Sequence, residues 1–268
     1  MPASTASSSN DRATVIAVGA LAATLAALCH ETLGHGLGCV GAGGQIRLLT
    51  SIWFRCQGAF PTADAGGPIG NLVAGFSALA LLSRVTASPT MRLLLLMFGT
   101  LNLFWLLGQL AFESVAGAHN DWYYVSWQMG WPSSWRLVGA IVGISGYVLV
   151  GRWTEAIVRK QGGPPAYAIR LAYVASAASA VIAGLMWRPE PFRSALEGFV
   201  TLGIAPLGLL GVARGASRNL RRGTDAGSVP RSWVWISMAT VLFGIFLFVQ
   251  AQGLGPLAAS GFSPQGAN

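Results

Sequence analysis

The sequence predicts an all-α polytopic membrane protein, a bundle of six to seven transmembrane helices with a short β-hairpin between the first two. Three observations carry this. Hydrophobic residues make up 53% of the 268 residues and charged residues only 10%, against about 25% charged in an ordinary soluble domain. Mean hydropathy is +0.55. Too few charges remain to cover the surface of a soluble fold of this size, whereas a lipid-facing surface needs none. Finally, the chain divides into apolar segments near the ~20 residues that span a hydrocarbon core.

Residues 1–12 are small, polar and Ser-rich, which predicts a disordered tail. The first apolar run covers about 13–29 and flows into HETLGHGLGCV. No small-x-small site ends it cleanly, and bulky Leu28 precedes Cys29, so a retained helix is expected instead of a cleaved leader. Further apolar segments lie at about 67–83, 91–116, 136–152, 168–187, 195–213 and 232–252. Residues 253–268 read as a flexible tail. In the sixth segment Pro206 suggests a kink and Glu197 a polar contact. The 35 glycines suit helices that approach closely.

The first connection differs from the others. GGQIRLLTSIWFRCQG, residues 43–58, is rich in β-branched and aromatic residues and bounded by glycines, which predicts a hairpin. Unpaired strand edges cannot face lipid, so it must lean on protein or lie at the interface. Cys39 and Cys56 both fall in this connection. They could pair in an oxidising compartment or remain small buried thiols. No CxxC pair occurs, so no thiolate zinc site is suggested.

The net charge of +8 is scattered over short loops. No long basic run with interleaved aromatics is present, which argues against a nucleic-acid partner and for loop charge beside a lipid bilayer. With seven spans, 12 of the 17 Arg and Lys residues fall on the side of the N-terminus. That places the N-terminus in the cytoplasm and the C-terminus outside. Short loops and compact length suit a bacterial cytoplasmic membrane.

Only three histidines occur: His30, His35 and His119. Two lie in HETLGH beside Glu31, at the end of the first apolar run, where an ionisable group is costly and hence a functional candidate. A His-Glu pair followed by a second His on one helix is the grammar of zinc hydrolases. Two imidazoles hold the metal, and the carboxylate acts as general base toward water. The usual spacing is HExxH, whereas here the histidines are five apart. On a regular α-helix residues five apart are separated by about 140° around the axis. A local π-bulge, eased by Gly34, would bring them together, and such bulges concentrate at functional sites. The alternatives are that Glu31 and His35 form the co-facial pair, or that the helix end carries polar residues without a metal.

Two further motifs complete the candidate site. GGPIGNLVAG, residues 66–75, opens the second span with a close-packing glycine turn and Asn71. AGAHNDW, residues 116–122, follows the third span and offers Asp121 or His119 as the third N or O ligand that zinc requires. Read alone, the first is better explained as glycine-mediated helix packing and the second as an interfacial loop with a Trp anchor. Their topology links them. Odd spans exit where even spans enter, so HETLGH, GGPIGN and AHND fall at one membrane face.

In this order the motifs resemble the site-2 protease family of intramembrane zinc metallopeptidases. Its members carry HExxH on a helix, a Gly-rich loop with short strands, a GP-x-x-N-like stretch opening the next helix, and an Asp ligand from a later one. The counterparts here are HETLGH, GAGGQIRLL, GGPIGNLVAG, and NLFWLLGQLAF leading to HNDW, over about residues 20–122. The LDG-type motif of many members is absent. The resemblance implies His30 and His35 as zinc ligands, Glu31 as the base and Asp121 as the third ligand. Asn71 would position substrate backbone or support the site. His119 remains the alternative ligand. Residues 13–122 would then form a metallopeptidase-like membrane core and residues 123–252 additional transmembrane helices. The expected activity is zinc-dependent hydrolysis of a membrane-protein or peptide substrate. A catalytically inactive membrane scaffold of the same fold and a small-molecule or ion transporter are the alternatives.

Overall fold

The structure is a computed structural model that describes residues 10–58, 61–84, 86–161, 163–220 and 227–258. Among these residues, seven helices are long and apolar enough to cross a membrane: Arg12–Gly41, Pro61–Arg84, Pro89–Ala116, Trp135–Lys160, Ala166–Leu185, Pro191–Ser217 and Trp233–Gln250. The expected all-α polytopic bundle is therefore observed. The spans run longer than their apolar stretches because polar helix ends continue beyond them. Within the tail expected to be disordered, residues 1–9 lie outside the described residues, whereas Asn10 to Arg12 are ordered. Asp11 caps α1 (Arg12–Ala27) by accepting from the Thr14 N–H at 2.8 Å, and Asn10 Oδ1 accepts from the Val229 N–H.

The first span is not one regular helix. α1 passes into a π-helical segment, Leu28–Gly36, and then into the short α2, Leu37–Gly41. Two strands follow, β1 (Gln45–Leu49) and β2 (Phe54–Gln57). They pair antiparallel from Gln45 opposite Gln57 to Leu49 opposite Phe54, with a bulge between Ile46 and Leu48. This is the hairpin that the sequence predicts. A disulfide joins Cys39 of α2 to Cys56 of β2, fastening the hairpin to the end of the first span.

The second span is α3, Pro61–Arg84, and the third is α4, Pro89–Ala116. Ser88 caps α4 at its N-terminus, and Gly117 ends it in the left-handed conformation, φ 72°. A short helix α5, Asp121–Gln128, leads to α6, Trp135–Gln161, and α7, Ala166–Leu185. The first and third spans are the most enclosed, 67% buried, and the fourth and seventh the least, 22% and 17%. The bundle is thus built around α1 and α4. α1 packs along α7, where Gly19 meets the Ala172 backbone and the Ser176 hydroxyl donates to the Gly19 carbonyl at 2.8 Å. α6 lays Gly139, Gly143 and Gly146 against Ser114, Ala111 and Leu107 of α4, the small-residue packing that membrane helices use in place of a hydrophobic drive. These contacts merge residues 13–122 and the later helices into one bundle.

The sixth span breaks as Pro206 foretells. α8 (Pro191–Phe199) and α9 (Gly208–Leu220) are separated by a π turn and a 3₁₀ turn, with Pro206 at φ −88°, ψ 24°. Backbone groups freed inside a membrane must find partners. Tyr147 supplies them: its hydroxyl donates to the Ala205 carbonyl at 2.7 Å and accepts from the Gly208 N–H at 2.8 Å.

The last span is α10, Trp233–Ile245, ending in a π turn at Phe246–Gln250. The start of the tail expected to be flexible instead docks on the hairpin. Leu49 and Leu254 exchange backbone hydrogen bonds of 2.9 and 2.8 Å, and the Leu257 N–H donates to the Arg47 carbonyl. The outer edge of β1 is thereby closed by the chain itself, as an edge beside lipid requires. Residues 259–268 lie outside the described residues.

Candidate metal centre

HETLGH lies inside the π segment. With backbone bonds running from i to i+5, residues five apart stack above one another. His30 and His35 therefore share a face, and their Nε2 atoms lie 3.1 Å apart. Of the two side-chain pairings open in the sequence, the co-facial histidines are the one observed. Both imidazoles are buried, as is Glu31 beside them.

Asp121, the first residue of α5, completes the group. Its Oδ2 lies 3.2 Å from His30 Nε2 and its Oδ1 lies 3.5 Å from His35 Nε2. Three ligands around a tetrahedral zinc, at bond lengths of 2.0–2.1 Å, stand about 3.3 to 3.4 Å from one another. The imidazole nitrogens stand 3.1 Å apart and 3.2 and 3.5 Å from the two different oxygens of Asp121, and one ligand atom from each residue lies within 4.8 Å of the others, a spread that a small shift would close to that edge. His35 Nδ1–H donates to the Ala63 carbonyl at 2.7 Å, which leaves its Nε2 lone pair free for a cation. Two imidazoles and one carboxylate are donors that a divalent metal ion accepts, zinc among them. The residues fit the ion that the sequence suggests.

The surroundings hold these side chains in place. The His30 ring stacks on Trp105 of α4 at 4.1 Å between centroids, and the His35 ring stacks on Phe54 of β2 at 5.2 Å. On the remaining side α3 comes close enough to exclude side chains. A Cβ on Gly67 would lie 2.7 Å from His30 Nε2 and closer still to His35 Nε2. Gly66 abuts the Gly34 carbonyl, and Gly70 the Cys29 carbonyl. GGPIGN thus lies within α3, whose polar first turn precedes it, and it is the surface against which the π segment packs. Asn71, on the same helix, is fully buried beside His30. Both of its side-chain polar atoms and His30 Nδ1 lack hydrogen-bond partners among the described residues.

A shell of polar side chains surrounds Asp121. Gln109 Nε2 donates to Asp121 Oδ2 at 2.9 Å. Glu113, one turn further along α4 and buried, accepts from the Tyr123 N–H at 2.9 Å. Gln128 at the other end of α5 donates to Asp64 of α3 at 2.6 Å.

Of the sequence candidates, His30, His35, Asp121, Glu31 and Asn71 are brought together. His119 is not among the converging ligand atoms, and its ring stacks on Tyr123 at 4.0 Å. Sequence reasoning missed Gln109, Glu113, Trp105 and Phe54 as parts of the site, whereas Gly67 belongs to the glycine turn that it singled out. Gln109 and Glu113 were detectable as polar residues in an otherwise apolar span. The aromatic stacks had no signal distinguishing them from core residues. No family model, no curated protein and no solved structure matches this chain, so its function is argued from the site alone.

Proposed function

We propose that this protein is a membrane-embedded zinc-dependent hydrolase, a peptidase acting on membrane proteins or membrane-adjacent peptides. The observation that supports it most directly is the convergence of His30 Nε2, His35 Nε2 and the Asp121 carboxylate, with one ligand atom from each within 4.8 Å of the others and the imidazole nitrogens 3.1 Å apart, a cluster that one tetrahedral ion would draw together. Those three residues would hold the zinc. Zinc, when bound, supplies a Lewis acid that polarises a carbonyl and acidifies water. Glu31 follows His30 directly and is within electrostatic reach of His35 and Asp121. Its carboxylate takes a proton from the attacking water and returns it to the leaving amine as the peptide C–N bond breaks. A π segment that aligns His30 with His35 also answers the objection that the i, i+5 spacing raises.

Depth in the bundle supports a substrate presented within or at the membrane. His35 lies six residues before the end of the first span, Gly67 six after the start of the second, and Trp105 eleven before the end of the third. At 1.5 Å per residue the site is about 9 to 16 Å below those helix ends. The distribution of Arg and Lys over the loops supports a site facing away from the cytoplasm, and the Cys39–Cys56 disulfide beside it suits an oxidising compartment.

The test is metal content. Wild type and His35→Ala, purified in detergent without chelator, are compared by elemental analysis. About one zinc per wild-type chain, lost in the variant, is expected. No zinc in either would refute the hydrolase reading in favour of a non-catalytic membrane scaffold.

A further inference from the structure

Glu113 is a buried acid inside a membrane span that the proposed chemistry does not use. Glu113 and Gln109 are four residues apart on α4 and so share a face, and both point to the start of α5. The first N–H groups of a helix have no partner within it, and Asn120, at the capping position of α5, makes no side-chain cap. Glu113 Oε2 fills that role from another helix by accepting from the Tyr123 N–H. Gln109 meanwhile donates to the carboxylate of Asp121. Asp121 is therefore fixed twice, through the backbone turn that carries it and through its own oxygen, and both restraints come from one face of α4. That same helix carries Trp105, the ring stacked on His30.

We infer that Glu113 and Gln109 are positioning residues that set Asp121 as the third ligand of the metal centre. α5 is only eight residues long and has just two buried side chains, Val125 and Ser126. α3 holds the far end of α5 through Gln128 and Asp64, whereas α4 supplies hydrogen bonds to its first turn through Gln109 and Glu113. The two histidines, by contrast, are placed by the π segment and by stacking on Trp105 and Phe54, with no hydrogen bond to Gln109 or Glu113 among the described residues. Removing the α4 restraints should therefore weaken the carboxylate ligand and leave the imidazole pair unchanged.

This inference rests on the metal-site reading, and the experiment separates the two. Metal-free protein is titrated with Co²⁺, whose absorption spectrum reports ligand number and geometry, in wild type, Gln109→Leu, Glu113→Leu, Glu113→Gln and Asp121→Ala. Thermal unfolding of each metal-free protein is followed alongside. Gln109→Leu and Glu113→Leu should lose roughly 10- to 100-fold in affinity, the usual effect of removing a partner that orients a ligand. Glu113→Gln keeps an oxygen acceptor for the Tyr123 N–H and should stay near wild type. In the Asp121→Ala background, Glu113→Leu should have no further effect, because its action passes through Asp121. An equal loss in that background, or wild-type affinity in both Leu variants, would overturn the inference while leaving the metal site standing. Failure of wild type to bind Co²⁺ or zinc would overturn both.

Discussion

A Gly67→Ala substitution adds one methyl group where α3 meets the two imidazoles, and its consequence can be worked from distances. The new Cβ would lie 2.7 Å from His30 Nε2, whereas ordinary contact begins at 3.4 Å. His30 must then move by about 0.7 Å, and His35 by more, against a tolerance near 0.2 Å in metal–ligand distance. Neither ring can retreat freely. Trp105 backs His30, while Phe54 and the 2.7 Å bond to the Ala63 carbonyl hold His35. Withdrawal of α3 would instead open the backbone contacts of Gly66 with Gly34 and of Gly70 with Cys29. Metal affinity should fall at least 100-fold, about 2.7 kcal/mol, with the helical circular dichroism of the metal-free protein unchanged. The control is Gly211→Ala, a helix glycine with nothing within 4 Å of a built Cβ, which should bind metal as wild type does. Wild-type zinc or Co²⁺ affinity in Gly67→Ala would refute the placement of the ion between α3 and the π segment.

Glu31→Gln should retain metal by elemental analysis and lose turnover by 10²- to 10⁴-fold, the range of general acid–base catalysis. Full activity in that variant would remove Glu31 from the role of base. Deleting Leu33, a half-exposed residue of the π segment, shortens the motif to His-Glu-x-x-His. Metal binding should survive within about tenfold, because residues four apart share a face of an ordinary α-helix; a complete loss would mean that the extra residue is not what the π segment absorbs. Gln250→Leu removes a bridge in which Gln250 donates to the Thr50 carbonyl at 2.9 Å and accepts from the Thr32 hydroxyl at 2.8 Å. Thermal unfolding in detergent should report about 1–3 kcal/mol of destabilisation, since a buried carbonyl loses its partner. An unchanged transition would show that the last span is not fastened to the site in this way.

The fold was legible where physical constraints are local. Seven apolar stretches, a glycine-bounded β-rich loop and a proline in the sixth span each leave a mark that neighbouring residues suffice to read, and each corresponds to an observed element. The candidate ligands were legible because histidine and carboxylate are rare in this chain. Contacts made across the bundle were not. Gln250 reaches Thr32 across 218 residues, and nothing around it separates it from any polar residue closing a span. Leu254 pairs with β1 through its backbone, so its side chain carries no information about the pairing. Asn102, whose side chain bonds to the Phe98 carbonyl of its own helix, and Gln109, which holds Asp121, look alike in sequence.

The extra residue in HETLGH and the glycines of GGPIGN are two halves of one arrangement. A π segment aligns residues five apart, but it displaces backbone outward relative to a regular helix, and a neighbour bearing side chains would be pushed away. Here the facing helix presents Gly66, Gly67 and Gly70 to the π segment, and the segment returns Gly34. Backbone meets backbone, the kind of approach membrane helices make through small residues. Without those glycines the imidazole pair would have no room; without the π segment the glycines would border a gap, and the histidines would diverge. The spacing that departs from HExxH and the glycine cluster some thirty residues later are therefore best read together, as the local and the distant condition for placing two imidazoles 3.1 Å apart inside a membrane.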